Sequence, residues 1–468
     1  MPPAVNSSPQ GQTASLIRRY DRPGPRYTSY PTALEFDESF DEAAYRHRLR
    51  DASDDADSPL SLYVHLPFCA ERCTYCGCMA IITRNREVIG RYLEHVEMEI
   101  DLLARHLGSR RRVVQYHWGG GTPTSLTQLE IVRLDRVIRQ AFEIEACAEQ
   151  AIEIDPRVTG REQLMLLRAL GFNRLSMGVQ DFTPEVQQAI GRRQSEAVTR
   201  ALYDYARQIG FESINLDLVY GLPRQRVETF ERTLETIVEM QPDRVAVYSY
   251  AHVPWLRPHQ KDILASDLPD AALKFELIGA AVDAFVSAGY VAIGLDHFAR
   301  PEDDLAVAAR ERRLHRNFMG YTTRTAPDML GVGVSAIGEV GGAFAQNVKR
   351  LSAYAAALDA GRFPIERGYA LDGDDRARRH VITQLMCNFR VDCRVVERLF
   401  GLEFAEYFAR ELRSLQAPGG PVDDGFLLVT PDALEVTSRG RLFVRTICMT
   451  FDRYLATHND KPVFSRTI

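Results

Sequence analysis

Residues 62–78 read "LYVHLPFCAERCTYCGC" and hold four of the chain's eight cysteines. The first five form a short apolar run that predicts a β-strand, and the proline after it predicts the strand's end. A loop loaded with reactive side chains at a strand's carboxyl end is the arrangement of α/β enzymes. The same rhythm continues along the chain. Strands are predicted at "VVQYHW" (113–118), "AIEID" (151–155), "RLSMGV" (174–179), "INLDLVY" (214–220) and "RVAVYSY" (244–250). Between them lie segments of helical period such as "VIGRYLEHVEMEIDLLARHL" and "LTQLEIVRLDRVIRQAF". Strands alternating with helices imply βα units and a parallel sheet. Six units are too few for a closed eight-stranded barrel, so a partial (β/α)6 barrel or open curved sheet is expected, with "YVAIGLDHFA" (290–299) as a further strand. Each strand is followed by a polar or glycine-rich stretch: "PFCAERC", "GGGTPT", "PR", "QDF", "GLPRQ" and "AHVP". Six loops should therefore converge on one mouth.

Residues 1–35 read as an extended arm. "RPGPRYTSYPT" is rich in proline, which blocks helix, yet its tyrosines and Arg26 suit docking on a surface. Residues 36–350 form the expected catalytic domain. Beyond 350 the rhythm changes: "RARRHVITQLMCNFRV" and "RVVERLFGLEFAEYFARELRSL" read as helices and "GFLLVTPDALEVT" as a short hairpin. A small, mainly helical domain of winged-helix flavour over 351–468 follows, with mixed charges that favour packing over DNA binding.

The chain has 468 residues, 45% hydrophobic and 26% charged, with a net charge of −6. That balance argues against a dedicated nucleic-acid binder. The N-terminal stretch has no apolar signal core, and the most apolar long window, "LIGAAVDAFVSAGYVAIGL", carries Asp283 and glycines and reads as a core helix running into a strand. A cytosolic monomer without a membrane span is expected. In the cytosol clustered cysteines mean metal or redox chemistry rather than disulfides. Cys147, Cys387, Cys393 and Cys448 are scattered and read as small buried hydrophobes.

Three chemistries compete for the cluster of thiols. Structural zinc usually takes two well-separated pairs, and all four sulfurs here share one loop. A redox dithiol accounts for Cys73 and Cys76 and leaves Cys69 unused. An iron–sulfur cube fits best, since its irons are held by thiolates on short loops. In the spacing Cys69-x3-Cys73-x2-Cys76 three cysteines hold three corners and leave one iron open for a ligand. Cys78 is read as a non-ligand.

That spacing after a first strand, with Tyr75 before the third cysteine, resembles the radical S-adenosylmethionine (radical SAM) enzymes. "PGPRYTSYPTALEF", "YVHLPFC", "CGC", "HWGGGTPT", "EIDPR", "NRLSMGVQDF", "DLVYGLP", "LDHFARP", "NFMGYTT" and "GVGVSAI" narrow the resemblance to the oxygen-independent coproporphyrinogen III oxidases. It runs from about Tyr20 to "FDRYL" near residue 455. The resemblance implies a 4Fe-4S cluster on Cys69, Cys73 and Cys76. It also implies two molecules of S-adenosylmethionine (SAM), a reduced flavodoxin- or ferredoxin-like electron donor, and coproporphyrinogen III as substrate. Two propionates would lose carbon dioxide and become vinyl groups through a 5′-deoxyadenosyl radical. The hydrogen removed lies on carbon that no carbonyl activates, so acid–base removal is closed to it.

The resemblance further implies SAM contacts at Tyr63, Tyr75, Gly120, Gly121, Thr122, Glu153, Gln180, Arg192, Asp217, Ala251 and Ile337. Several carry their own physical argument. Glu153 and Asp217 are carboxylates in apolar strands and need partners; for Glu153 the plain alternative is a salt bridge with Arg157 or Arg174. The glycines let backbone approach a ligand and expose amides. Arg192 reads equally as a solvated helix charge. Arg26 on the arm is expected to clamp a propionate, and Tyr63 and Glu153 to act at the reacting centre. Rival readings are a haem chaperone that binds without turnover, a porphyrin methyltransferase that opens the ring, and an interaction protein with a structural cluster. Against the chaperone stand the arm and "CGC", where such proteins carry Cys-x-Phe.

Overall fold

The computed structural model describes residues 16, 19–458 and 464–467. The first fifteen residues of the expected arm lie outside this set. All six predicted strands form: β1 (Leu60–Leu66), β2 (Arg112–Gly120), β3 (Glu143–Ile154), β4 (Arg174–Gln180), β5 (Ser213–Tyr220) and β6 (Arg244–Ser249). They pair in parallel in chain order. Six of the seven residues of β1 are buried, as expected for a strand covered on both faces.

The crossover helices are fixed locally before they pack. Before α1 (Arg86–Leu107), the Asn85 side chain accepts from the Glu87 and Val88 amides. Thr127 and Glu130 close a capping box at the start of α2 (Gln128–Ala141).

The predicted further strand is a hairpin of two, β7 (Val291–Gly294) and β8 (His297–Ala299), turned at Leu295 with φ +42°. β8 pairs antiparallel with β6. The other edge holds strands that the alternation did not predict: β9 (Asp328–Val332), parallel to β1, then β10 (Ile337–Val340), β11 (Ala343–Asn347) and β12 (Ile365–Ala370), all antiparallel. The sheet order is β12-β11-β10-β9-β1-β2-β3-β4-β5-β6-β8-β7. Its two ends do not meet, so the sheet is open, with seven parallel strands at its centre.

Two buried polar anchors place β9. At its start Arg110, 1% exposed, donates to Asp328 at 2.6 Å. Just past its end Glu99 accepts from the Gly333 amide, the Asn347 amide group and the Tyr354 hydroxyl at 2.7, 2.7 and 2.5 Å. These side chains pin its two ends, while Leu330 and Val332 are buried in the main core and the backbone pairs with β1. The boundary expected at residue 350 falls inside this sheet, because the change of rhythm marks the switch from crossovers to hairpins.

A second hydrophobic core joins the arm to the C-terminal region. There α3 (Gly373–Asn388) packs with shorter helices, and the expected hairpin forms as Leu427–Val429 against Ala433–Val436, with Arg390–Asp392 as a third strand. Tyr20 packs edge-on to Phe426, Tyr27 donates to Asp452 at 3.0 Å, and Pro23 pairs with Arg466. Of the scattered cysteines three are buried, but Cys147 is exposed, because it lies where the pairing of β3 with β2 slips between Ile144 and Glu149.

Candidate active site

Pro67 leads the chain out of β1 into the cysteine loop, which is braced from three sides. Its base is closed by parallel pairing of Phe68–Cys69 with Ile81–Ile82. At its tip the Thr74 amide donates to Ile190 O at 3.0 Å and the Thr74 hydroxyl to Ala189 O at 3.2 Å. On its outer flank fully buried Gln260 donates to Tyr75 O and Ala251 O at 2.9 and 3.2 Å, and His259 Nε2 donates to Cys76 O at 2.7 Å. Gln260 and His259 belong to the loop after β6, so two of the six predicted strand-end loops hold each other.

The braced loop walls one side of a cavity of about 1160 Å3 at the carboxyl ends of the strands. Cys69, Cys73, Cys76, Tyr75, Gly120, Gly121, Thr122, Glu153, Gln180, Arg192 and Asp217 all line it, and so does Cys78. Tyr63, Arg26, Ala251 and Ile337 are not among its lining residues. Tyr63 stands just behind the wall, its hydroxyl 3.0 Å from His65 Nδ1. Ile337 begins β10 and packs with Phe36, Phe344 and Leu371. Arg26 enters a neighbouring cleft of about 40 Å3, donating to Ser249 O at 2.7 Å and reaching Asp296 at 3.4 Å. Its guanidinium lies 5.9 Å from the ring centroid of Tyr248, which does line the large cavity.

The thiols sit among hydrogen-bond donors. Arg157 and Arg192 aim N–H groups at Cys73 Sγ from 3.7 and 3.9 Å, Cys69 Sγ lies 3.3 Å from Thr122 Oγ1, and the Cys78 amide donates to Cys76 Sγ at 3.4 Å. The hydrogen bond from the Cys78 thiol, helped by its amide and by Arg257 and Arg192 against the effect of burial, pushes the Cys76 thiol down to about 6. The same bond pushes Cys78 up. Burial raises Cys69. A depressed thiol with cations around it is the surrounding that favours thiolate, the form that binds metal.

Deeper in the cavity Glu153 accepts from the Gly120 amide at 3.0 Å and lies 3.4 Å from His117 Nε2. Burial would raise its carboxyl, but His117 and the Gly120 amide outweigh it, and the net shift is downward. The salt bridges weighed for Glu153 do not form: Arg157 pairs with Asp155, and Arg174 with Glu149 and Asp304. Arg192 is no solvated charge. It is 5% exposed, bonds Asp155 at 2.9 Å and Gly178 O at 2.7 Å, and keeps its buried Nε without a partner among the described residues. Asp217 is bonded by Ser176 and Asn215, each at 2.8 Å, and burial pushes its carboxyl up to about 6.

The glycines work differently from the expectation. The Gly121 amide donates to Leu66 O and the Thr122 amide to Phe68 O, both at 2.9 Å, so these amides are taken by the protein's own backbone. A Cβ on Gly121 would stand 2.6 Å from the Pro67 carbonyl, and Gly120 has φ +115° with the His65 ring against it. Glycine is needed here so that β2 can press against the root of the cysteine loop. Asp155, Arg157, Ser176, His259 and Gln260 were not singled out as site residues. Asp155 shares its strand face with Glu153 by the two-residue alternation, a signal that was present in "EID".

Among the described residues no three His, Cys, Asp or Glu side chains converge as the ligands of a single ion would. A cube instead takes each thiolate at a different corner, so the sulfurs stand apart on its rim. With three thiols on its rim, Cys76 among them depressed, and Glu153, Arg192 and Asp217 among its lining residues, the cavity suits a cluster and a ligand bearing charged groups.

Comparison with known proteins agrees. A radical SAM superfamily model matches residues 63–237 and a HemN C-terminal domain model matches 371–443. Oxygen-independent coproporphyrinogen III oxidase of Salmonella typhimurium is 48% identical over 457 residues, 97% of this chain and 98% of that protein. That of Escherichia coli is 48% identical over 454 residues. The chain belongs to the oxygen-independent coproporphyrinogen III oxidases. The solved Escherichia coli coproporphyrinogen III oxidase (HemN), titled a radical SAM enzyme, overlays with a TM-score of 0.89 at 47% identity, covering 94% of this chain and 99% of that one. The radical SAM domain carries with it a 4Fe-4S cluster and SAM as cofactors of this oxidase. Among the described residues no helix is long and apolar enough to cross a membrane.

Proposed function

We propose that this protein converts two propionates of coproporphyrinogen III to vinyl groups, giving protoporphyrinogen IX for haem synthesis without oxygen. The observation that carries the reading is the cavity itself, with three family-spaced thiols at its rim and Glu153, Arg192 and Asp217 inside. Cys69, Cys73 and Cys76 would hold the cluster, leaving Cys78 to lower the Cys76 thiol. When bound, the cluster and SAM supply a carbon radical able to take an unactivated hydrogen. Glu153 offers an acceptor for a SAM amino group, the Arg192 guanidinium a positive charge for its carboxylate, and Asp217 an acceptor for its ribose hydroxyls. At about 1160 Å3 the cavity exceeds the usual range for one small ligand, which favours two molecules of SAM over one. Arg26, bound to Ser249 O beside Tyr248, is placed to meet a propionate that reaches past the main cavity.

The arm (residues 1–35) is proposed to limit access to this region, since Tyr20, Tyr27 and Tyr30 are buried in the C-terminal core while Arg26 faces the strand ends. We read the protein as a cytosolic monomer served by a flavodoxin- or ferredoxin-like donor; the eight cysteines are all free thiols, in keeping with a reducing compartment. The test is anaerobic reconstitution with iron and sulfide, then SAM, dithionite and coproporphyrinogen III. Coupled formation of 5′-deoxyadenosine and a divinyl product is expected. Haem binding without turnover, or a heavier methylated tetrapyrrole, would replace this function with a chaperone or a methyltransferase.

A further inference from the structure

The hairpin of His315–Asn317 with Gly320–Thr322 carries an arginine that the fold leaves open. Arg316 faces Tyr321 across the hairpin, its guanidinium 5.0 Å from that ring's centroid. Among the described residues its one hydrogen bond runs from Nη1 to Arg26 O at 3.3 Å, and its buried Nε has no partner. A residue that only pinned the arm to the hairpin would need that one donor and no charge. Arg316 stands at one end of a file of rings: Tyr321 packs edge-on to His297 at 5.0 Å, and His297 edge-on to Tyr248 at 5.6 Å. Arg26 flanks Tyr248 at the other end, where that ring lines the large cavity. Charges along the file do not balance. Asp296 answers Arg26 at 3.4 Å and His297 at 2.7 Å, and no described carboxylate comes within ion-pair distance of Arg316. Arg445, which shares the cleft of about 40 Å3 with Arg26 and Asp296, has only carbonyl partners among the described residues. Burial, then the charges of Arg26 and Arg316, push it down to about 10. Beside Arg316 a second cleft of about 10 Å3, room for one oxygen-sized group, is walled by residues 27–30 of the arm. Such an excess of cations, partly withdrawn from water, calls for an anion.

We propose that Arg26 and Arg316 together hold the two carboxylates of the substrate that are not lost, which makes Arg316 a specificity-determining residue. The inference rests on the proposed function, and it names the feature of the substrate that the arm and the hairpin read. Of the four propionates of coproporphyrinogen III two survive, and in the III isomer these two stand on neighbouring pyrroles and project side by side. In the I isomer propionates and methyls alternate all the way round the ring, and no two propionates are neighbours. Two guanidinium groups linked through the Arg316–Arg26 bond, yet set at opposite ends of the file, suit a neighbouring pair, each taking one carboxylate in a charge-assisted bond. Held by that edge, the macrocycle turns its opposite edge, which bears the reacting propionates, toward the cavity.

The test titrates the reconstituted full-length protein with the oxidised, fluorescent coproporphyrins III and I and with the tetramethyl ester of III. The wild type is expected to bind III about tenfold more tightly than I. Arg316→Gln should weaken III about tenfold, to the level of I, while affinity for I and for the uncharged ester changes less than about twofold. Arg316→Lys, which keeps the charge and loses the fork, should recover part of the loss. A wild type that does not separate the isomers, or an Arg316→Gln variant that weakens III, I and the ester alike, would overturn the assignment; the second result would leave Arg316 as a pin for the arm. If the wild type binds none of the three porphyrins, or forms no divinyl product from coproporphyrinogen III with SAM and dithionite, the underlying function fails instead.

Discussion

The cavity rim and the junction of the arm with the C-terminal region are both rich in arginine, yet they use it in opposite ways. At the junction Arg445 and Arg453 are satisfied, although Arg316, beside Tyr27 and Tyr30, also keeps a buried Nε without a partner among the described residues. Buried Arg445 donates to three carbonyl oxygens, of Pro25, Thr467 and Gly24, and Arg453 reaches Asp372, Asp374 and Asp375. At the rim Arg192 keeps a buried Nε without a partner, and Arg72 and Arg193, which also line the cavity, have no ion pair among the described residues. Leaving a buried donor open costs about 1–3 kcal/mol wherever it lies, so the contrast rests on the unpaired cations that line the cavity. The contrast separates arginines that fold the chain from arginines that wait for something.

Five substitutions sharpen or break that contrast, beginning with the largest expected effect. Cys73→Ser should abolish cluster binding and all SAM cleavage, while Cys78→Ser should keep its iron; colorimetric iron and sulfide assays separate the two. Next, Arg192→Ala leaves Asp155 with one of its two arginines and should cost about 3 kcal/mol in denaturant unfolding, with SAM affinity lost in calorimetry. Arg453→Ala at the half-exposed junction should cost about 1 kcal/mol and leave SAM affinity alone. Equal effects on SAM affinity would erase the distinction. Gly121→Ala should lower stability by roughly 1–3 kcal/mol, because its Cβ meets Pro67 backbone that cannot rotate away. Its Tm and its cluster content should fall together.

The smallest effect is a pH dependence. Burial raises the Asp217 carboxyl to about 6, so the folded state holds this proton more tightly than the unfolded chain does. The stability it contributes is full below about pH 4 and is lost as pH rises through 6. Asp217→Asn should therefore stabilise the SAM-free protein at pH 7 by roughly 1–2 kcal/mol, reduced by the water of the cavity it faces, with the gain fading by pH 4. A gain that grows at low pH would reverse the assignment.

The parallel strands were legible because each is a buried apolar run with a polar loop behind it. β9 was not, since the short, glycine-broken run "DMLGVGVSAI" is pinned at its ends by Arg110 and Glu99, which lie far away in the chain. The site was legible where a residue type is unusual for its setting, as with the thiols, Glu153 and Asp217. It was hidden where ordinary residues meet across loops, as His259 and Gln260 do with the cysteine loop. Arg26 was visible as a charge on an aromatic arm, but only the fold shows that it enters the cleft beside Tyr248 and not the cavity itself.

The central claim is that three thiols leave one iron free to bind SAM. It is tested most directly by electron paramagnetic resonance of the reduced, reconstituted protein with and without SAM carrying a nitrogen-15 amino group. The account predicts a spectrum that shifts when SAM is added, with a coupling from the labelled nitrogen, in wild type and Cys78→Ser alike. A cluster whose spectrum ignores SAM, or a protein that takes up zinc in place of iron, would contradict it.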